Sequence, residues 1–203
     1  MLNKVKQKNG QKMIITIVNY KGGVGKSLIA HQLITCFDFQ GYELDVYGNL
    51  AQRLPGNVIK IERKMPEIQG DSVIDTGGYD DKKLHEAIKI SDLVLIPFIP
   101  SFESIQSTVS ALITLKDHLA YKNILFVVNM AQKSNMTEKA IQAFEKILKR
   151  KPEMYNLPIM QSYQTAVNYN RAITKLAESN RVYQKAADII KGLYERIKET
   201  AKS

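Results

Sequence analysis

The residues best suited to chemistry form a glycine-rich loop, Lys-Gly-Gly-Val-Gly-Lys-Ser at 21–27, between an apolar run at 13–18 and a helical pattern over Ser27–Phe39. Its glycines let the backbone wrap an anion, so that N–H groups and the start of the helix face a polyphosphate. Lys26 would contact the β- and γ-phosphates, and the Ser27 hydroxyl would bind Mg²⁺. The predicted nucleotide contacts here are Lys21, Gly22, Gly23, Val24, Gly25, Lys26, Ser27 and Leu28.

An acidic residue, Asp75, belongs to the same predicted site. Asp75 ends the apolar run Ser72–Asp75, which places its carboxylate at the sheet edge where the glycine-rich loop also opens. There it would hold Mg²⁺, through a water, because Mg²⁺ keeps several waters and takes few protein ligands. Gly77 and Gly78 follow, and their backbone could donate an N–H to the γ-phosphate and respond to its loss. An aspartate here could also cap the turn before the next helix, a role that is compatible with binding Mg²⁺.

Apolar runs alternate with helical patterns along the chain, which predicts the elements that carry these residues. The predicted strands are Met13–Val18, Ser72–Asp75, Leu93–Phe98 and Ile124–Asn129. The predicted helices are Ser27–Phe39, Asp81–Ile90, Glu103–Leu119, Thr137–Arg150, Val167–Glu178 and Arg181–Lys198. This rhythm is typical of an α/β fold with a doubly wound, mostly parallel sheet covered by helices on both faces, in which ligands bind at the carboxyl ends of the strands.

Composition limits the classes of protein. The chain has 203 residues, 44% of them hydrophobic, and no linker-like segment, so we expect one domain over 13–203 after a basic tail at 1–12. The single cysteine, Cys36, excludes a disulfide framework and favours the cytoplasm. A net charge of +9 favours a polyanionic partner, nucleic acid or an acidic membrane surface. The three histidines have no metal-ligand spacing.

The loop resembles the deviant Walker A loop of the ParA/MinD family of P-loop ATPases. Tyr20 stands where the common loop has its first glycine, and Lys21 follows it. In this family the extra lysine reaches across a dimer interface to the partner's nucleotide, so the resemblance implies catalytic roles for Lys21 and Lys26. It also implies adenine contacts from Asn129 and from the segment around Pro158. Asp75 corresponds to the Walker B aspartate.

The residues after the first helix align with that family in two ways. Family members have a second strand ending in D-x-D-P-Q, whose aspartates help to place Mg²⁺ and the attacking water. Aligned without gaps, residues 48–52 take this position and neither acid is present. In the other register Glu43 and Asp45 supply the acids and Asp45 becomes a catalytic candidate, but the second strand nearly disappears. Because such a sheet rarely omits a central strand, we favour the gapless register, which predicts weak hydrolysis.

The resemblance implies a small partition ATPase of the ParA type. Such a protein would bind ATP and Mg²⁺, form a homodimer with ATP, and bind DNA without sequence preference beside the nucleoid. It would act with a small centromere-binding adaptor protein on a plasmid or mobile element. The candidate DNA contacts are the late basic residues Arg171, Lys175, Arg181 and Lys185. Each of them could instead be an ordinary solvated charge.

Two alternative functions use the same switch. A MinD-like positioning ATPase would need the amphipathic segment Asp188–Lys202 to bind a membrane, whereas we expect this segment to pack on the protein's own core. A conjugation accessory ATPase would recruit DNA to a transfer apparatus. An electron-transfer ATPase would need bridging cysteines, and one cysteine argues against it.

Overall fold

The computed structural model describes residues 12–131 and 135–202. The strands, numbered along the chain, are β1 (Ile14–Ile17), β2 (Gln40–Glu43), β3 (Val58–Lys60), β4 (Ser72–Asp75), β5 (Leu93–Phe98), β6 (Asn123–Ala131) and β7 (Glu153–Pro158). They form one sheet of seven strands in the order β3-β2-β4-β1-β5-β6-β7, and every neighbouring pair is parallel. The predicted fold class is confirmed.

The helices are α1 (Lys26–Phe37), α2 (Leu50–Arg53), α3 (Lys82–Ile90), α4 (Phe102–Thr114), α5 (Lys116–Leu119), α6 (Met136–Leu148), α7 (Gln161–Asn168), α8 (Ile173–Ser179) and α9 (Gln184–Ala201). A 3₁₀ turn, Arg181–Tyr183, joins the last two. The tail predicted at 1–12 lies outside the described residues except for Lys12, whose Nζ donates to the Ile68 carbonyl at 3.2 Å.

Alternating side chains of the strands pack on opposite faces of the sheet. In β5, Leu93 and Leu95 join a cluster with α1, α7, α8 and α9, whereas Val94 and Ile96 join a cluster with α3, α4, α5 and α6. All six residues of β5 are buried. Helices therefore cover both faces, as near-continuous apolar strands require. The central β1 lies between β4 and β5, so the chain changes winding direction where the glycine-rich loop leaves β1.

The favoured register of the second strand is wrong. Helix α1 ends at Phe37 and Asp38 adopts a left-handed conformation with φ 57°, so the chain turns early and β2 begins at Gln40. The strand is therefore present in the register that we set aside, and Glu43 pairs with Asp75 of β4. The prediction failed because it placed the strand after Gly41, whereas Gly41 lies within it. Gly41 has no room for a side chain between Ile34 and Val58.

The sequence analysis missed two strands, and it also missed an interruption in each of two predicted helices. The short β3 and the edge strand β7 lack an apolar run, because β3 exposes two of its three residues and β7 pairs on one side only. The segment predicted as Val167–Glu178 is two helices, interrupted where Asn170 takes φ 49°, a conformation that asparagine tolerates. The segment predicted as Glu103–Leu119 breaks at Leu115.

Candidate nucleotide site

The glycine-rich loop closes onto the start of α1. Gly25 is the residue before the helix and has φ 100°, a left-handed conformation that strongly favours glycine. A β-carbon there would also overlap the side-chain amide of Asn129. Asn129 Nδ2 donates to the Val24 carbonyl at 2.9 Å, so the end of β6 supports the loop from below. The N–H groups at the start of α1 are left to face an anion.

Lys26 lies folded under this loop. Its Nζ donates to the carbonyls of Asn19 at 3.0 Å and Lys21 at 3.3 Å, and the residue is 8% exposed. Burial lowers the pKa of Lys26, whereas the carboxylates of Asp75 and Asp45 oppose that shift. The ammonium is thus held against the loop that would wrap the phosphates, with two acids nearby. This arrangement suits a charge-assisted contact with a phosphate oxygen.

Asn19 is a site residue that the sequence analysis did not identify. It is fully buried, and its Nδ2 donates to the Pro97 carbonyl and the Thr108 hydroxyl, both at 2.8 Å. Its Oδ1 accepts from the Lys21 N–H at 2.9 Å. Lys21 itself is exposed. Asn19 therefore ties the loop to β5 and α4 and orients the backbone of Lys21. The available signal was an asparagine directly after an apolar strand.

Asp75 ends β4 as a buried acid, close enough to Ser27 and Lys26 for both to favour its charged form, although neither residue makes a hydrogen bond of regular geometry with its carboxylate. It is 1% exposed, and neither carboxylate oxygen has a hydrogen-bond partner among the described residues. Burial raises the pKa of Asp75 to about 7, the neighbouring Ser27 and Lys26 oppose the shift, and Glu43 and Asp45 add to it. An unpaired buried carboxylate is costly unless a cation or a proton neutralises it. Asp75 and Ser27 thus fit a hard cation with oxygen ligands such as Mg²⁺.

Within the described residues, no group of three or more histidine, cysteine, aspartate or glutamate side chains is arranged to hold a metal ion alone. That finding fits a Mg²⁺ site that takes one carboxylate and one hydroxyl from the protein and its remaining ligands from phosphate and water.

Two acidic residues, Glu43 and Asp45, lie at the end of β2 and just after it, beside the end of β4 that carries Asp75. Glu43 is 1% exposed, and its carboxylate accepts from the N–H groups of Leu50 at 2.7 Å and Ala51 at 3.3 Å, which caps α2. Asp45 is half-buried in the following loop, and its charge acts on both Lys26 and Asp75. Since Glu43 and Asp75 are in register, these acids border the edge where the glycine-rich loop opens. Contrary to our prediction, the second strand ends in acids.

The segment after β4 contacts both neighbouring loops. Gly78 approaches the Tyr20 carbonyl so closely that a β-carbon would lie 2.8 Å from its oxygen. Gly77 lies beneath the ring of Tyr79, which leaves no space for a side chain. The backbone at Gly77 and Gly78 thus passes beside the glycine-rich loop, as its predicted contact with a nucleotide requires.

The two residues predicted near the base lie at the same edge. Asn129 ends the regular part of β6 and is 5% exposed, with its amide turned toward the glycine-rich loop. The pairing of β6 with β7 shifts at Met130, so that Ala131 lies opposite Pro158. Met130 and Ile159 expose 38% and 60% of their surface beside them. An apolar border of this kind suits a planar base, although the adenine contacts of Asn129 and Pro158 stay predictions.

The four candidate DNA contacts are all exposed and lie away from the glycine-rich loop in the chain. Arg171 and Lys175 border a groove between α1, α2 and the α7–α8 turn, and Lys175 pairs with Glu178 at 3.1 Å. Arg181 lies in the 3₁₀ turn and Lys185 in the first turn of α9. Arg181 and Lys185 have no ion pair with another described residue.

The apolar face of α9 packs against the protein's own core. Ile190, Leu193 and Ile197 of α9 are at most 1% exposed and belong to the core cluster around α1 and α8. The expected packing on the core is therefore confirmed, and the face that a membrane would need is not free. Among the described residues, no helix has the length and apolar character needed to cross a bilayer.

Comparison with known proteins agrees with this geometry. Residues 15–182 match the family model of the CobQ/CobB/MinD/ParA nucleotide binding domain. No curated protein sequence matches the chain. Among solved structures, apo McdA of Cyanothece has a TM-score of 0.66 at 14% identity, covering 94% of this chain and 99% of that one.

Two further solved structures have the same fold. A ParA family ATPase from Chlorobium tepidum TLS has a TM-score of 0.58 at 16% identity, covering 89% of this chain and 99% of that one. The septum site-determining protein MinD from Pyrococcus horikoshii OT3, complexed with Mg-ADP, has a TM-score of 0.56 at 17% identity, covering 95% of this chain and 100% of that one.

Proposed function

Because the chain belongs to the CobQ/CobB/MinD/ParA nucleotide-binding family of ATPases, we propose that it is an ATP-dependent partition switch of the ParA type. In this proposal residues 13–203 form one domain that binds ATP, dimerises and then binds DNA without sequence preference. The observation that carries the nucleotide site is the buried carboxylate of Asp75, which lies beside Ser27 and Lys26 and has no hydrogen bond of regular geometry with any described residue. A buried carboxylate is stabilised when it binds a cation, and the adjoining glycine-rich loop suits the polyphosphate that accompanies Mg²⁺.

Each residue of the site has a proposed part. The N–H groups of the loop and the Lys26 ammonium bind the β- and γ-phosphates, and Asp75 and Ser27 hold Mg²⁺. The cation would supply charge neutralisation on the phosphate oxygens. Asp45 orients a water toward the γ-phosphate, and Lys21 extends to the nucleotide of a partner subunit. Phosphoryl transfer depends chiefly on such positioning and electrostatics, so these few groups suffice for a slow ATPase.

The DNA-binding part of the proposal rests on charge. The net charge of +9 favours a polyanion, as do Arg181 and Lys185, which are exposed and form no ion pair with a described residue. With the apolar face of α9 buried in the core, DNA is favoured over an anionic membrane as that polyanion. We therefore propose a nucleoid-associated protein that works with a small adaptor on a plasmid or mobile element.

The test compares ATP with ADP in the presence of Mg²⁺. Light scattering would measure the mass, and fluorescence anisotropy with an arbitrary duplex would measure DNA binding. We expect ATP alone to produce a dimer, and the dimer to bind DNA more tightly because two basic surfaces act together. Lys26→Ala should abolish both effects by removing nucleotide binding, whereas Lys89→Ala, an exposed lysine at the end of α3, should preserve them. Equal DNA binding with ATP and ADP would contradict the switch.

A further inference from the structure

The loop that carries Asp45, residues 44–49, is held by side chains from three different strands or their ends. Lys60 of β3 donates to the carbonyls of Val46 and Gly48, both at 3.0 Å. Glu43 of β2 accepts a hydrogen bond from the Leu50 N–H at the start of α2, the helix that follows the loop. These contacts fix the far side of the loop to the edge of the sheet. Its near side, toward the glycine-rich loop, is held by Tyr79.

The Tyr79 hydroxyl contacts the loop twice. It donates to the Leu44 carbonyl at 3.3 Å and accepts from the Val46 N–H at 3.4 Å. These two backbone groups flank Asp45 on either side. A hydroxyl can satisfy both because it is a donor and an acceptor at once, which a phenylalanine at this position could not do. Tyr79 therefore fixes the backbone that sets the position of the Asp45 carboxylate.

The ring of Tyr79 rests on the segment that adjoins the glycine-rich loop. Its Cε1 and Cζ atoms fill the space above Gly77, and Gly78 in turn touches the Tyr20 carbonyl. A movement of Gly77 and Gly78 would thus displace the ring, and the ring would displace the loop through its hydroxyl. The Leu44 N–H adds a direct backbone bond to the Asp75 carbonyl at 2.8 Å. That bond fixes the start of the Asp45 loop, and Asp45 itself lies between the two backbone groups that contact Tyr79.

We propose that Tyr79 is a positioning residue that transmits the state of the Gly77–Gly78 backbone to Asp45. The inference rests on the proposed function, because it assigns Gly77 and Gly78 to the γ-phosphate and Asp45 to the attacking water. Tyr79 would align Asp45 when the γ-phosphate is bound and release it after the phosphate leaves. Such a link joins the backbone after β4 to the loop after β2, so that a small local change in one would act on the other.

Steady-state ATPase kinetics provide the first arm of the test. Tyr79→Phe keeps the ring on Gly77 but removes the hydroxyl, so we expect kcat to fall about tenfold while KM changes less than about twofold. Tyr47→Phe is the matched control, since Tyr47 lies in the same loop and is 93% exposed. A Tyr79→Phe enzyme with wild-type kcat, or one in which KM alone rises, would overturn the inference.

Amide hydrogen exchange provides the second arm and does not need turnover. With Mg²⁺ and a non-hydrolysable ATP analogue, wild-type protein should show slower exchange at 44–50 than with ADP. In Tyr79→Phe this difference should disappear while protection of 21–28 persists, and Tyr47→Phe should behave as wild type. Protection at 21–28 with an unchanged ATP-to-ADP difference at 44–50 in Tyr79→Phe overturns the inference alone. Absence of nucleotide protection at 21–28 in wild-type protein overturns the proposed function and the inference with it.

Discussion

Glu43 and Asp75 lie directly opposite each other in the parallel pairing of β2 with β4, and both are 1% exposed. The two carboxylates have different surroundings. The carboxylate of Glu43 accepts from two N–H groups at the start of α2 and lies 3.8 Å from Lys60, whereas that of Asp75 has no hydrogen-bond partner among the described residues. Glu43 thus has a structural role already, and Asp75 is available to a cation.

This asymmetry predicts that Asp75→Asn stabilises the protein without ligand at pH 8. Burial raises the pKa of Asp75 to about 7, above the ordinary 3.8, so the folded state binds more protons between these values and loses stability as pH rises through them. Removing the charge should raise the free energy of unfolding by about 1 kcal/mol or more. Urea denaturation of both proteins at pH 4 and pH 8 would measure this difference in the free energy of unfolding.

The same variant should lose the stabilisation that Mg²⁺ and ATP give to wild-type protein, since the carboxylate proposed to bind the cation is gone. Glu86→Gln on the exposed side of α3 is the control and should behave as wild type in both measurements. If Asp75→Asn were less stable than wild type at pH 8 and kept its Mg²⁺ response, the cation site would lie elsewhere.

The register of β2 leads to a second prediction, on Gly48. A β-carbon at this position would overlap the Glu43 carboxylate, so Gly48→Asp adds both a clash and a like charge. We expect a loss of about 1–3 kcal/mol in stability and no gain in ATPase rate. Asp45→Asn should instead leave the melting temperature near that of wild type and remove turnover. Faster hydrolysis by Gly48→Asp would contradict the register.

The sequence predicted what depends on local pattern. Both ends of strand β5 were predicted correctly, because its apolar run is buried on both faces and paired on both sides. The position of Lys26 followed from the loop motif alone. The role of Glu43 could not be predicted in this way, since it depends on whether α1 ends at Phe37 or a turn later, and one left-handed residue, Asp38, decides that. Tyr79 and the contacts that tie Asn19 to β5 and α4 were missed because the partner residues lie 33 to 89 residues away in the chain.

A third prediction concerns pH and His31. This histidine of α1 is fully buried, its Nε2 has no partner among the described residues, and burial, with the charge of Arg53, lowers its pKa to about 4. Between that value and the ordinary 6.5, the unfolded chain binds a proton that the folded chain does not. Stability should therefore fall as pH drops through this window, by up to about 3 kcal/mol.

The difference between wild type and His31→Gln isolates this contribution, because Asp75 acts in the opposite direction and is common to both proteins. Denaturant titrations from pH 4 to pH 8 should give curves that diverge below pH 6.5, with the wild type losing more. Parallel curves over that range would show that His31 accepts a proton in the folded protein.

Lys21 should affect dimerisation more than nucleotide binding. Its side chain is exposed and its backbone N–H is fixed by Asn19, so the side chain is accessible to a partner subunit. Lys21→Ala should bind ATP within about threefold of wild type, since Lys26 still supplies the local charge, but should remain monomeric. Calorimetry and light scattering would measure the two properties. An ATP-dependent dimer formed by Lys21→Ala would exclude a role across the interface.

The last prediction separates the surface that binds DNA from the site that binds ATP. Arg181 and Lys185 are exposed near the start of α9 and have no ion pair with a described residue, so both charges are free to meet phosphates. Each phosphate contact contributes about −0.9 to the slope of log affinity against log salt concentration. Replacing both residues with alanine in a dimer should therefore flatten the slope by about 3 to 4 and leave ATP-driven dimerisation intact. Lys89, at the end of α3, and Lys151, just before β7, are exposed lysines that form the matched control pair, and their double alanine variant should keep the wild-type slope. An unchanged slope in the Arg181/Lys185 variant would move the DNA surface to another part of the protein, because the lost cations would then have contacted no phosphate.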